Sequence, residues 1–206
     1  MFGVTLVMLG LFWLMTGPGR EPAPVPTREL GWSEYAGSHL RQALPLSDGF
    51  DFPLCPPDGR GAYIQRGFRE RGCLGEEWSL VPEGGGDASV HASGSGVVIL
   101  ADDFREVWGH VVVLLHRMPA GGETEWVETM YADLAGINVK PAQWVRRGEV
   151  LGHLAAVGPA LHFEVRIRPG HGLGPGDSDQ AVQDWVRPQL FLQQNRHQMT
   201  SKAGTD

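Results

Sequence analysis

The sequence predicts an all-β domain, an antiparallel barrel or sandwich, between about residues 48 and 169. Three observations carry this expectation. β-Branched and other apolar residues gather in short runs: VVIL (97–100), HVVVLLHR (110–117), ETMYADL (128–134) and ALHFEVRIR (160–168). That composition suits a pleated surface. Turn-forming residues separate the runs, in EGGGDAS (83–89), MPAGGE (118–123), INVKPAQ (137–143) and RRGE (146–149). No ten-residue stretch among them has helical periodicity, so no crossover helices are expected between the strands.

The last of these runs also holds the first candidate site residue. From Leu161 it alternates, with Leu161, Phe163, Val165 and Ile167 apolar and His162, Glu164, Arg166 and Arg168 polar. Period-two alternation predicts a half-buried strand with His162 on its polar face. The neighbour of His162 on that face, two residues back, is Ala160, which offers only a methyl group.

The flanks read differently. MFGVTLVMLGLFWLMT (1–16) is almost wholly apolar, shorter than a bilayer span, and has the character of a secretory h-region. It is expected to direct export to the periplasm or cell envelope, as a cleaved signal peptide or as an uncleaved membrane anchor. Residues 17–47 form a Pro/Gly linker followed by a short helix at 30–46, with Ser33 as its N-cap. After residue 169 a C-terminal extension, 170–206, holds a helical candidate, DSDQAVQDWV (177–186), then WVRPQLFL (185–192) and a polar tail. The chain of 206 residues has room for one sizeable core plus tails. Its formal net charge of -7, without a Lys/Arg cluster, excludes a nucleic-acid-binding groove.

Several segments between 48 and 169 carry a resemblance in their order. They are FDFPLCPPDGRGAYIQRGF (50–68), CLGEEWSL (73–80), DASVHASGSGVVIL (87–100), WGHVVVLLHR (108–117), MYADL (130–134), INVKPAQWVRRGEVLG (137–152) and PALHFEV (159–165). Together they resemble the LytM/lysostaphin-type zinc metallopeptidases, endopeptidases that cut peptidoglycan cross-links. The resemblance implies a LytM-like β fold. It also implies a zinc ion held by the His and Asp of a His-x-x-x-Asp pair and by the second His of His-x-His. Two further histidines in such enzymes handle the water proton and the oxyanion.

Carried over by position, the ligand places are held by Cys73, Glu77 and His162. The place of the histidine in the family's Tyr-Ala-His-Leu segment is Asp133, and the first His of His-x-His is Ala160. Four of the five functional positions are therefore substituted. Cys73, Glu77 and His162 are chemically admissible zinc donors. A thiolate and a carboxylate would nonetheless cancel the metal's charge, which weakens polarisation of a bound water. Ala160 cannot stabilise an oxyanion, a loss worth about 10²–10³-fold. Asp133 offers a base but puts negative charge where the transition state gathers it.

Cys55 and Cys73 leave three alternatives open: a disulfide worth roughly 3 kcal/mol in an oxidising compartment, a zinc thiolate, or free thiols. His116 matches a position where the family often has His and is a candidate for the site wall. Glu76 is expected to be solvated, and Trp78 and Trp108 to serve core or rim. The resulting expectation is an extracytoplasmic, catalytically inactive LytM-like protein that binds peptidoglycan or regulates a cell-wall hydrolase. An active zinc endopeptidase with a Cys/Glu/His site is the alternative.

Overall fold

The structure, a computed structural model, describes residues 44–82, 88–105, 107–120, 123–156, 158, 160–173 and 181–196. The segment expected to direct export, the expected linker, nearly all of the expected 30–46 helix and the glycine run of EGGGDAS lie outside them.

Among the described residues the architecture is a ten-stranded sheet in which every pairing is antiparallel. The strands are β1 (Ala62–Arg66), β2 (Glu76–Leu80), β3 (Ser89–His91), β4 (Gly96–Asp103), β5 (His110–Ala120), β6 (Glu123–Ile137), β7 (Trp144–Val145), β8 (Val150–Leu154), β9 (Leu161–Arg166) and β10 (Trp185–Val186). The main path runs β1-β2-β9-β6-β5-β4-β7. β10 pairs with β9, and β8 joins β3 to β6. The four strands expected from composition correspond to β4, β5, β6 and β9.

The path does not close, yet the sheet wraps one core. Trp78, Val90, Val98, Val112, Leu114, Tyr131, Leu151, Phe163 and Val165, drawn from seven strands, belong to a single buried cluster. Each such side chain contributes about 1.5–3 kcal/mol through removal from water. In β5 the run Val111–Leu115 is buried on both faces, because Val111 and Val113 pack into a second cluster with Leu100 and Met130.

Two features correct the sequence reading. Residues 177–186 do not form the expected helix in their described part. Ala181–Asp184 is a 3₁₀ turn, and Trp185 and Val186 pair with Arg166 and Val165 of β9. The single α-helix among the described residues, α1 (Pro188–Gln194), begins on a proline, whose missing N–H costs nothing there. Second, β9 is not half-buried: all six of its residues are buried. Trp185 packs on Glu164 and Arg166 of the polar row, and the Trp108 ring lies against His162.

Candidate functional site

Register places the candidate residues together. Glu77 lies opposite His162 in the β2–β9 ladder, and Ala132, just before Asp133, lies opposite His162 in the β6–β9 ladder. Directly opposed residues share a face, so Glu77 and His162 meet on the side of the sheet away from the main core. Close approach of β2 to β9 requires a glycine: a Cβ on Gly75 would sit 2.4 Å from the Phe163 carbonyl oxygen. Gly75→Ala is expected to pry the strands apart and lower stability by about 1–3 kcal/mol, read by urea denaturation.

Cys73 enters from a 3₁₀ turn, Glu70–Gly72; Arg69, just before it, and Arg71, within it, hold left-handed φ values of 65° and 51°. A cavity of about 270 Å³ opens there. It is lined by Cys73 and His162 together with Arg66, Arg71, Glu77, Trp108, Asp133 and Glu164 among others. The Trp108 ring tilts against the His162 ring with centroids 5.1 Å apart.

Side-chain contacts define the site's chemistry. Cys73 Sγ lies 3.9 Å from His162 Nδ1 and 3.3 Å from the Gly75 carbonyl oxygen. His162 Nε2 lies 2.9 Å from Glu164 Oε1. The other oxygen of Glu164 accepts from Trp185 Nε1 at 2.7 Å and from Arg166 Nε at 2.8 Å. Arg166, fully buried, also donates to the His171 carbonyl and faces Glu128 at 3.6 Å.

This line of contacts sets the ionisation. Burial alone would lower the pKa of His162, but hydrogen bonds to Cys73 and Glu164 and the Glu164 charge override it, raising the pKa to about 9. Burial raises Glu164, and the charge of Arg166 with the His162 contact drives it well below the carboxylate range. Burial likewise pushes the Cys73 thiol up, but His162 more than reverses this. Glu128 is raised to about 7 by burial, against the pull of Arg166. Although Asp133 as a residue is exposed, protein atoms around its carboxyl raise its pKa, with His162 and Arg66 opposing.

A pH prediction follows. A histidine raised from 6.5 to about 9 on folding contributes stability that is whole below pH 6.5 and lost as pH climbs through 9. The unfolding free energy is therefore expected to fall across that window, by less than the His162 shift alone would give, because the lowered Cys73 thiol acts in the opposite sense. The raised Glu128 adds a decline at lower pH. Urea titrations at stepped pH check this, and His162→Gln should flatten the slope above pH 6.5.

The zinc expectation meets an obstacle. Arg66, opposite Glu77 across the β1–β2 ladder, forms an ion pair with it. The carboxylate in the second ligand place is thus already neutralised, by a cation that lines the same cavity. Cys73 and His162 remain as a facing pair. Among the described residues no three His, Cys, Asp or Glu side chains converge as a metal ion needs. A closed or catalytic zinc site takes three or four protein donors, so the residues present do not fit the ion.

Three further expectations are corrected. Cys55 and Cys73 are not joined: the Cys73 sulfur faces His162, whereas Cys55 lies in a separate turn against Gly61. His116 does not line the cavity. It is fully buried, with Nδ1 3.1 Å from the Ser95 carbonyl and Nε2 2.7 Å from the Thr129 hydroxyl. Burial lowers its pKa to about 4, which keeps it neutral and structural. Glu76 is buried rather than solvated, and accepts the backbone N–H of Gln189 at 2.9 Å near the start of α1. Ala160 is half-buried just before β9 and brings no polar group.

The residues that sequence reasoning missed are Arg66, Glu164 and Arg166. Glu164 and Arg166 were visible as the continuation of the polar row of β9. Arg66 gave no such signal, because a register shift between Ile64 and Arg66 sets its pairing.

The model of peptidase family M23 matches residues 81–175, which include His162 but begin after Cys73 and Glu77. The cell division protein DipM of Caulobacter vibrioides is 39% identical over 84 residues, 39% of this chain and 13% of that protein. This chain thus matches only a small part of that relative's length. Among solved structures, a chain of the SpoIIQ–SpoIIIAH pore-forming complex superposes with a TM-score of 0.51 at 21% identity. The superposition covers 77% of this chain and 99% of that one, and bears on fold alone. Lysostaphin from Staphylococcus simulans aligns with a TM-score of 0.45 at 18% identity, over 70% of this chain and 53% of that one.

Proposed function

We propose, from the match of the peptidase family M23 model to residues 81–175, that the chain is a member of that family that binds a wall peptide in its cavity without zinc-dependent hydrolysis. The observation that carries this reading is the Arg66–Glu77 ion pair, which brings a cation into the place of the metal. Ala160 supports it, since a methyl group cannot stabilise an oxyanion, and an ionised Asp133 would add negative charge beside one. The ligand is a peptidoglycan stem peptide, whose carboxylates complement Arg66 and Arg71 at the rim. The apolar segment 1–16 supports an extracytoplasmic site of action at the cell envelope.

The test uses the full chain and purified peptidoglycan sacculi. The protein is expected to sediment with the sacculi, to release no soluble fragments with or without added zinc, and to lose retention on Arg71→Glu. Zinc-dependent release of cleaved cross-links, abolished by His162→Ala, would overturn the reading, as would absence of retention.

A further inference from the structure

Where the family would place two of its zinc ligands, this chain aligns a thiol, an imidazole and a carboxylate. Cys73 Sγ meets His162 Nδ1 at 3.9 Å, and His162 Nε2 meets Glu164 at 2.9 Å. Glu164 is itself fixed, its second oxygen held by Trp185 Nε1 and the Arg166 guanidinium. The order is nucleophile, base and orienting acid, the arrangement by which side chains activate a thiol. It is built on adjacent strands, β9 and the entry to β2, and not on a mobile loop tip.

Three details distinguish this line from an incidental contact. The imidazole cannot turn away, because Glu164 holds one side and the Trp108 ring flanks it. The thiol lines the cavity, although only 8% of the residue's surface stays exposed. The other cysteine, Cys55, has no part in this line of contacts, so the chain carries its own comparison for reactivity.

We infer that Cys73 is an acyl-accepting nucleophile, taking the acyl group of a small ester or thioester that enters the cavity. This rests on the reading that zinc does not occupy the pair. In the step, Sγ attacks the carbonyl carbon as the thiolate of a Cys73–His162 ion pair, with the thiol's proton already held on the imidazole. The S–C bond forms and the bond to the leaving group breaks. The proton on His162 passes to the departing oxygen or sulfur, and the product is a thioester at Cys73. Arg71, at the cavity's edge, favours donors that carry a negative charge.

The experiment uses p-nitrophenyl acetate with the reduced full chain, following nitrophenolate release and mapping the acetyl group by peptide mass spectrometry. Acetylation is expected at Cys73 at least about 10-fold faster than at Cys55, and lost in Cys73→Ser. His162→Asn should slow it about 10²-fold and Glu164→Gln by less, with Tm recorded for each variant. Glu164→Asp, which keeps the carboxylate, serves where Glu164→Gln fails to fold. Equal labelling of both cysteines, or a Cys73 rate unmoved by His162→Asn, would overturn the inference. The same assay repeated with one equivalent of zinc separates the two readings. Protection of Cys73 by zinc would sink the zinc-free reading, whereas absence of acetylation without any zinc effect would sink this inference alone.

Discussion

Arg166→Met is expected to lower the unfolding free energy by about 3–5 kcal/mol, the cost of removing one partner from a buried charge cluster. Arg166 has no exposed surface and stands between two buried carboxylates, Glu164 at 2.6 Å and Glu128 at 3.6 Å. Without the guanidinium, Glu164 keeps only Trp185 and His162, and Glu128 keeps the Gly170 N–H. Methionine matches the aliphatic stem and the surroundings, where Met130 already touches the guanidinium, so the loss measures charge more than packing. Adding Glu164→Gln to Arg166→Met should restore about 1–2 kcal/mol, because one orphaned charge is gone. Chemical denaturation of the three variants measures this. A single-variant cost below about 1 kcal/mol would mean that Arg166 does not hold the row together.

Trp185→Ala should cost a comparable amount, about 3–5 kcal/mol, typical of emptying a large buried ring. Trp185 is 2% exposed, pairs with Arg166 in the β9–β10 ladder, donates to Glu164 and stacks with His171 at a centroid distance of 4.4 Å. Its removal uncovers the polar row of β9 to water, so the site should suffer along with the fold. Trp185→Phe separates the two contributions. It keeps a ring against His171 but loses the N–H to Glu164, and is expected to cost about 1.5–3 kcal/mol. Thermal melts of both variants, read beside the pH dependence of stability, provide the check. The high-pH decline should move to lower pH if Trp185 helps to hold Glu164 in place as the partner of His162.

These two residues also show where the sequence was legible. Leu161, Phe163 and Val165 announced an inward face by alternation alone, and the structure buries all three. The same alternation marked His162, Glu164 and Arg166 as a polar face. Nothing within the strand could say that Trp185, some twenty residues on, closes over it. Pairing between β9 and β10 decides that point, and a stretch with helical composition gave way to it.

The candidate site was legible to the degree that strand order and register were. Glu77 and His162 stand opposite each other in the β2–β9 ladder, a pairing that only the register reveals. Two assignments failed because spacing carries no direction. The interval between Cys55 and Cys73 fixes a loop length but not where either sulfur points. His116 follows Val111–Leu115, in which apolar residues occupy both faces, so no alternation tells which way the ring projects. Arg66 was hidden by an irregular register, although it decides the fate of Glu77.

The charge arrangement around Cys73 and His162 is therefore the centre of the account: a cation and a salt-bridged carboxylate where a metal would sit. Calorimetric titration of zinc into the reduced full chain addresses this most directly. The expected result is no uptake tighter than about 10 μM, and no gain on Arg66→Ala beyond weak binding. Uptake of about one equivalent with a Kd below about 1 μM, lost in both Cys73→Ala and His162→Ala, would contradict it.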